Sequence, residues 1–351
     1  MNLLEKITVQ EKVDLVKNLS LLIKSGKPVN ECFYLLARQE KNPALKNILN
    51  EAKDKTEKGT PLYEIFDQSS HFGSVFVSFI RAGEESGSLD ENLVYLADWL
   101  DRENKLKKEV RAATIYPKII IAFTVILGSF LSVFVLPDIM SVFEDLNVDK
   151  PITTEFLISI SNLMRESGLF ILGGIFLLVV LGYLLSKLKP VKRIWDHVVL
   201  KLPLVGATSK DYQLTIISQL IATLFKAGLT TSEALEIIII SVTNMRYKEA
   251  LQDMRERVLK GTSFAKTIEA YPDLFPSSFA SIITTGEETG SYDESFQHLA
   301  NFFAERVREK TQRLPIILEP MLLILIGLIV AFIASAIILP IYDVTSGLQM
   351  F

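Results

Sequence analysis

The residues with the most pronounced chemical pattern are acids held in a glycine-framed turn. Gly83-Glu84-Glu85-Ser86-Gly87 is followed by Ser88, Asp90 and Glu91, and Gly286-Glu287-Glu288-Thr289-Gly290 is followed by Ser291, Asp293 and Glu294. Two kinds of chemistry suit them. Glycines 83 and 87 suit a helix stop and a tight turn, with Ser88 and Glu91 (Ser291 and Glu294 in the second turn) forming a capping box and the acids complementing a helix dipole. The other reading is an acidic surface that docks a basic partner or holds a hard cation. Calcium needs about six to eight oxygens, so Glu84 would recruit Glu31, and Glu287 would recruit Glu233, or a second subunit would help. Catalytic patterns are missing. The chain has no Gly-x-x-x-x-Gly-Lys-Ser/Thr loop for phosphates, no His-Glu-x-x-His pair and no Gly-x-Ser-x-Gly elbow, and His71, His197 and His298 stand apart. An enzyme is therefore not expected. The single cysteine, Cys32, excludes an intrachain disulfide, and a net charge of −4 gives no support for nucleic-acid binding.

The elements that carry these turns occur twice. Lys24, Gly26 and Glu31 recur as Lys226, Gly228 and Glu233, and Lys58-Gly59-Thr60 recurs as Lys260-Gly261-Thr262, all at an offset of 202. After a one-residue insertion the offset becomes 203, and it carries both acidic turns, Leu96-Ala97 onto Leu299-Ala300, Pro117 onto Pro320 and Pro137 onto Pro340. Each copy reads as helical, with apolar residues at helical spacing and no strand-like alternation. In the first copy the expected helices include 29–39, 43–58, a short one after Pro61, one over 75–82, and a long one from near Ser88 that runs on through a basic flank.

Hydrophobic residues make up 49% of the chain and charged ones 22%, with a mean hydropathy of +0.31. The two figures coexist because apolar residues are gathered into blocks at 119–137, 167–186 and 320–342. Each block is about the 20 residues that a bilayer-spanning helix needs. Lysine and arginine crowd the segments before the first block, after the second and before the third, and are scarce in 138–166 and absent from 343 onward. The positive-inside rule then places the N-terminus in the cytoplasm and the C-terminus outside. Two copies of one orientation also require a single return span, which the unrepeated second block supplies.

The expected fold is all-α: two homologous cytoplasmic helical bundles of about six helices each, plus three transmembrane helices. Its segments are repeat 1 at 1–112, a span at 113–137, an extracytoplasmic loop at 138–166, a span at 167–187, repeat 2 at 188–314, a span at 315–342 and an outer tail at 343–351. Pro117 and Pro320 are expected in the first turn of spans one and three, where proline's missing N–H costs nothing. Glu319 reads as a cap, a snorkelling acid or an intramembrane contact. Gly128, Gly173, Gly174, Gly182 and Gly327 suit close helix packing. The N-terminus lacks the basic-then-apolar pattern of a cleavable signal peptide.

Taken in order, these residues resemble one family, the inner-membrane platform proteins of type II secretion and type IV pilus assembly, including the competence pseudopilus version. The resemblance rests on Gly26-Lys27-Pro28, Gly59, the turn from Gly83 to Gly87 and Pro117 in the first copy. In the second it rests on Leu202-Pro203-Leu204-Val205-Gly206, Leu224 to Leu229, Lys260-Gly261, Phe275-Pro276, the turn from Gly286 to Gly290, Glu319-Pro320, Gly327 and Pro340. It implies a non-enzymatic, homo-oligomeric platform in the bacterial cytoplasmic membrane. Such a platform binds a cytoplasmic hexameric ATPase, pilin-like subunits and other inner-membrane assembly proteins. Many members of that family carry an N-terminal extension before the first repeat; this chain enters the repeat almost at once, which leaves a Gram-positive-type or minimal system open. The alternative class is an oligomeric transport protein or channel, although parallel repeats and uncharged spans fit it poorly.

Overall fold

The computed structural model describes residues 7–130, 177, 182, 189–202 and 205–347. Among them are thirteen helices and no strand. The expected second span at 167–187 and the loop at 138–166 fall almost entirely outside the described residues.

The chain divides into two compact units, one of Met1–Val110 with Arg193–Lys310 and one of Arg111–Lys192 with Thr311–Phe351. The first unit contains both repeats. Repeat 1 comprises α1 (Val9–Lys24), α2 (Val29–Gln39), α3 (Pro43–Glu57), α4 (Leu62–Asp67), α5 (Ser74–Ser86) and the start of α6 (Leu89–Phe130). After α7 (Lys189–Lys201), repeat 2 follows the same order. It comprises α8 (Val205–Lys226), α9 (Thr231–Ser241), α10 (Met245–Leu259), α11 (Phe264–Glu269), α12 (Ser277–Thr289) and α13 (Tyr292–Gly347).

Local chemistry accounts for many of these boundaries. Thr8 and Glu11 form a reciprocal capping box at the start of α1, and Asn42 caps α3, whose first residue is Pro43. Asn244 repeats that role for α10. The loops after α1, α3 and α5 turn on Gly26, Gly59 and Gly87 at φ +81°, +82° and +71°, and their copies Gly228, Gly261 and Gly290 at +83°, +86° and +71°. A side chain is strained at such angles, so the six glycines fix where the helices stop.

One apolar core runs through both repeats, and α5 of the first packs against α9 of the second. Phe33, Phe66, Phe72 and Phe76 fill repeat 1, with ring centroids 4.5–6.2 Å apart. Phe264, Phe279, Phe296 and Phe303 fill repeat 2. Each such ring contributes about 1.5–3 kcal/mol of burial.

Among the described residues two helices, within Leu89–Leu127 and Tyr292–Leu328, are long and apolar enough to cross a membrane, with mean hydropathies of 1.7 and 1.5 in their most apolar stretches. Ile119, Phe123 and Ile126 in α6 and Ile316, Leu323 and Leu328 in α13 are exposed. Apolar rows of this length are costly in water and suited to lipid.

Three local expectations are corrected. Gly83 does not end α5; the helix continues to Ser86 and stops at Gly87. Gly83 is instead a point of close approach, since an added Cβ would lie 2.9 Å from the Leu89 Cα. Ser88 and Glu91 form no capping box: the Ser88 hydroxyl pairs with Ser86 at 2.6 Å and accepts from Asn92 Nδ2 at 3.0 Å. Finally, Pro117 lies deep inside α6 and Pro320 deep inside α13, not in a first turn. Each removes one hydrogen bond from a continuous helix.

Candidate functional site

The two acidic turns are built alike. Glu84 lies in the last turn of α5 and points back at the start of α4. Its carboxylate accepts from the Leu62 N–H at 2.6 Å and the Tyr63 N–H at 3.0 Å. Those amides open a helix whose N-cap is Pro61, which has no side-chain donor or acceptor to offer. Glu287 does the same for α11, accepting from Phe264 N–H and Ala265 N–H, both at 3.1 Å. The Ser263 hydroxyl adds a bond at 2.5 Å. Burial pushes the Glu287 carboxyl up, but bonds from Ser263, Tyr292, Ala265 and Phe264 outweigh it and hold the group below the ordinary glutamate range. Tyr292 moves the opposite way, raised by burial and by its bond to Glu287.

Close packing makes this geometry possible. Gly83 and Gly286 each precede the capping glutamate and let the next helix approach; a Cβ on Gly286 would fall 2.4 Å from Ser295 Oγ. The turn therefore ties three consecutive helices together: α4, α5 and α6 in repeat 1, and α11, α12 and α13 in repeat 2.

The other acids expected at a cation site have different partners. Glu31 pairs with Lys27 at 2.5 Å. Glu233 closes a capping box with Thr230, whose hydroxyl and backbone hold its carboxyl below the ordinary range. Among the described residues no group of three or more His, Cys, Asp or Glu side chains is gathered that could hold a metal ion. Both carboxylates already accept from the amides that open the neighbouring helix.

Gly26, Gly59, Gly228 and Gly261 lie at helix ends, as their spacing predicts. Glu319, Pro320 and Pro340 all lie within α13, and Glu319 is exposed. Glu319 is thus not a cap.

A second polar site was not singled out from the sequence. α6, α8 and α13 converge on a small apolar knot of Leu106, Ile216 and Val307, with Val110 and Tyr212 against it. Burial and the nearby Glu103 push the Tyr212 hydroxyl up to about 12. Beside the knot the Asp211 side chain, only 5% exposed, meets Lys310 Nζ at 2.5 Å and Arg306 Nε at 3.3 Å. Arg308 reaches Glu109 of α6 at 3.5 Å, linking the two long helices. The only advance signal was the polar run Asp211, Gln213, Thr215, Ser218, Gln219 and Thr223 on a helix that proves almost wholly buried. The arrangement seats its carboxylates on N–H and O–H donors and on cations. Its chemistry is mechanical: carboxylates pinning helix ends and a buried ion pair pinning the base of α13.

Comparison with known proteins places this architecture. The profile of the family described as type II secretion system protein F matches twice, at residues 15–137 and 217–340. Each match runs from a helical repeat into its long apolar helix. Over 335 residues the chain is 28% identical to the type IV pilus assembly protein PilC of Thermus thermophilus, covering 95% of this chain and 82% of that protein. The type II secretion system protein F of Vibrio cholerae is 26% identical over 334 residues, 95% of this chain and 82% of its own length. PilC of Pseudomonas aeruginosa is 24% identical over 332 residues, 93% and 88% of the two chains. The family matches take in most of both repeats, both acidic turns and most of the trailing helices, and the chain belongs to the type II secretion protein F and type IV pilus PilC family, whose members are assembly components and not enzymes.

Proposed function

We infer that this protein is the cytoplasmic-membrane platform of a type II secretion, type IV pilus or competence-pseudopilus machine. In that role it couples a cytoplasmic hexameric ATPase to the insertion of pilin-like subunits into a growing fibre. The observation that carries the reading is the paired family match, in which each helical repeat is joined to its own apolar helix. Three spans, with the N-terminus inside, the C-terminus outside and the block at 167–186 as the return, suit the basic flanks. Two helical repeats offer docking surface to an ATPase, and the pinned helix ends suit a part that must transmit force without unravelling. The platform works as a homo-oligomer alongside other inner-membrane assembly proteins.

The test is a chromosomal deletion with plasmid complementation, combined with binding of the cognate ATPase to the full chain in nanodiscs. Loss of fibres or secretion, together with ATPase binding, is expected. Normal assembly in the deletion strain, with ion flux through the protein in liposomes, would overturn the reading in favour of a channel.

A further inference from the structure

Among the described residues, α7 is joined to repeat 2 on one side and exposed on the other. Arg193 pairs with Glu249 at 3.0 Å, the Met245 N–H donates to Asp196 Oδ2 at 2.8 Å, and Leu200 is buried. The turn into α8 is tight: a Cβ on Gly206 would fall 2.4 Å from the Leu200 carbonyl oxygen. Residues 193, 196 and 200 share one face at helical spacing.

The opposite face is apolar and exposed. Val191, Ile194, Trp195, Val198 and Leu202 follow helical periodicity, with Ile194 67% and Trp195 62% exposed. Lys192 and Lys201 flank this stripe on either side, and Lys187 and Lys189 precede it in sequence. The polar tethers are all on the back, so the fastening of α7 turns its apolar face outward. In water that face would be a liability.

We propose that this face of α7 lies in the cytoplasmic surface of an anionic lipid bilayer, with Trp195 at the headgroup level and the lysines against lipid phosphates. The argument rests on the membrane reading above, because the apolar block at 167–186 ends just before the helix and delivers it to that surface. An apolar stripe with tryptophan, bordered by lysines, matches such an interface in both polarity and charge. α7 then fixes the height of repeat 2 above the membrane through α10 and α8.

The chain has two tryptophans, Trp99 and Trp195, and Trp99 is 6% exposed. A full-length W99F variant in nanodiscs therefore reports Trp195 alone. Should W99F misfold, the difference between wild type and W195F isolates the same signal. In phosphatidylcholine–phosphatidylglycerol discs, emission is expected to be blue-shifted and to fall about twofold or more when the acyl chains are brominated. Quenching should weaken in pure phosphatidylcholine and in K192E/K201E. Water-like, unquenched emission would overturn the proposal. So would blue-shifted emission insensitive to bromine, which would put a second copy or another protein on the face. Equal quenching in both lipids would remove the anionic preference. If the membrane reading itself failed, the chain would stay soluble without detergent and would not co-elute with the discs, a separate result.

Discussion

The two repeats share a backbone plan but are fastened differently. At the starts of α2 and α4, repeat 1 has Pro28 and Pro61, neither with a side-chain hydrogen bond. Repeat 2 has Thr230 and Ser263 at the matching positions; Thr230 closes a capping box and Ser263 bonds Glu287. At the base of the long helices the contrast is sharper. In α6, Lys107 pairs with Glu103 on its own surface at 2.6 Å. Its counterpart in α13, Lys310, crosses to the buried Asp211, whose counterpart in repeat 1 is Val9. Apolar spacing and turn glycines are thus enough to set the shared fold. Polar contacts then fasten the copies differently, and at these helix starts and at the base of the long helix the second copy has more of them.

The comparison is broken most severely at Asp211. D211A leaves Lys310 and Arg306 without their carboxylate and is expected to cost about 2–3 kcal/mol, less than a fully buried pair because both cations are partly solvated. E103A in repeat 1 should cost about 1 kcal/mol or less, because Lys107 is exposed even though Glu103 is half-buried. Denaturant unfolding of the full chain in one detergent checks both.

Next come the capping glutamates. E287A is expected to cost about 2 kcal/mol and E84A about 1 kcal/mol, because the first strands four donors and the second two. Thermal unfolding of the two variants side by side sharpens the contrast, and equal losses would erase it.

Acid should act on the same site. The folded-state pKa of Glu287 lies below its ordinary value of 4.5. Its contribution is therefore fully present above that value and is lost as pH falls through the depressed folded pKa. Stability of the wild type should drop over that acidic window, and E287Q should flatten the drop; a pH series of unfolding midpoints measures it.

The smallest effects belong to the caps themselves. S263A removes the hydroxyl's bond to Glu287 and should lose about 1 kcal/mol. P61S, which gives repeat 1 the residue of repeat 2, should change stability by less than about 0.5 kcal/mol, since the gained hydroxyl is offset by greater freedom of the unfolded chain.

Much of this was legible in the sequence, for local reasons. α2 begins and ends where Pro28 and the apolar spacing predict, and α3 ends one residue before the expected Lys58. Gly83 looks like a stop, yet α5 runs past it to Ser86; the glycine's purpose, the approach of α6, depends on a neighbouring helix. The glutamates of the turns stand out in the sequence, but the N–H groups that donate to them, at Leu62 and Phe264, lie 22 and 23 residues upstream, beyond any local motif. Asp211 carried still less warning, since its partners are about a hundred residues away and its repeat equivalent is apolar.

Hydrogen exchange on the full chain in nanodiscs measures the unequal fastening directly, comparing the opening amides of α4, at Leu62 and Tyr63, with those of α11, at Phe264 and Ala265. Slower exchange in α11 than in α4, raised to at least the α4 rate by S263A/E287A, is expected. Equal exchange in the wild type, or faster exchange in α11, would contradict it.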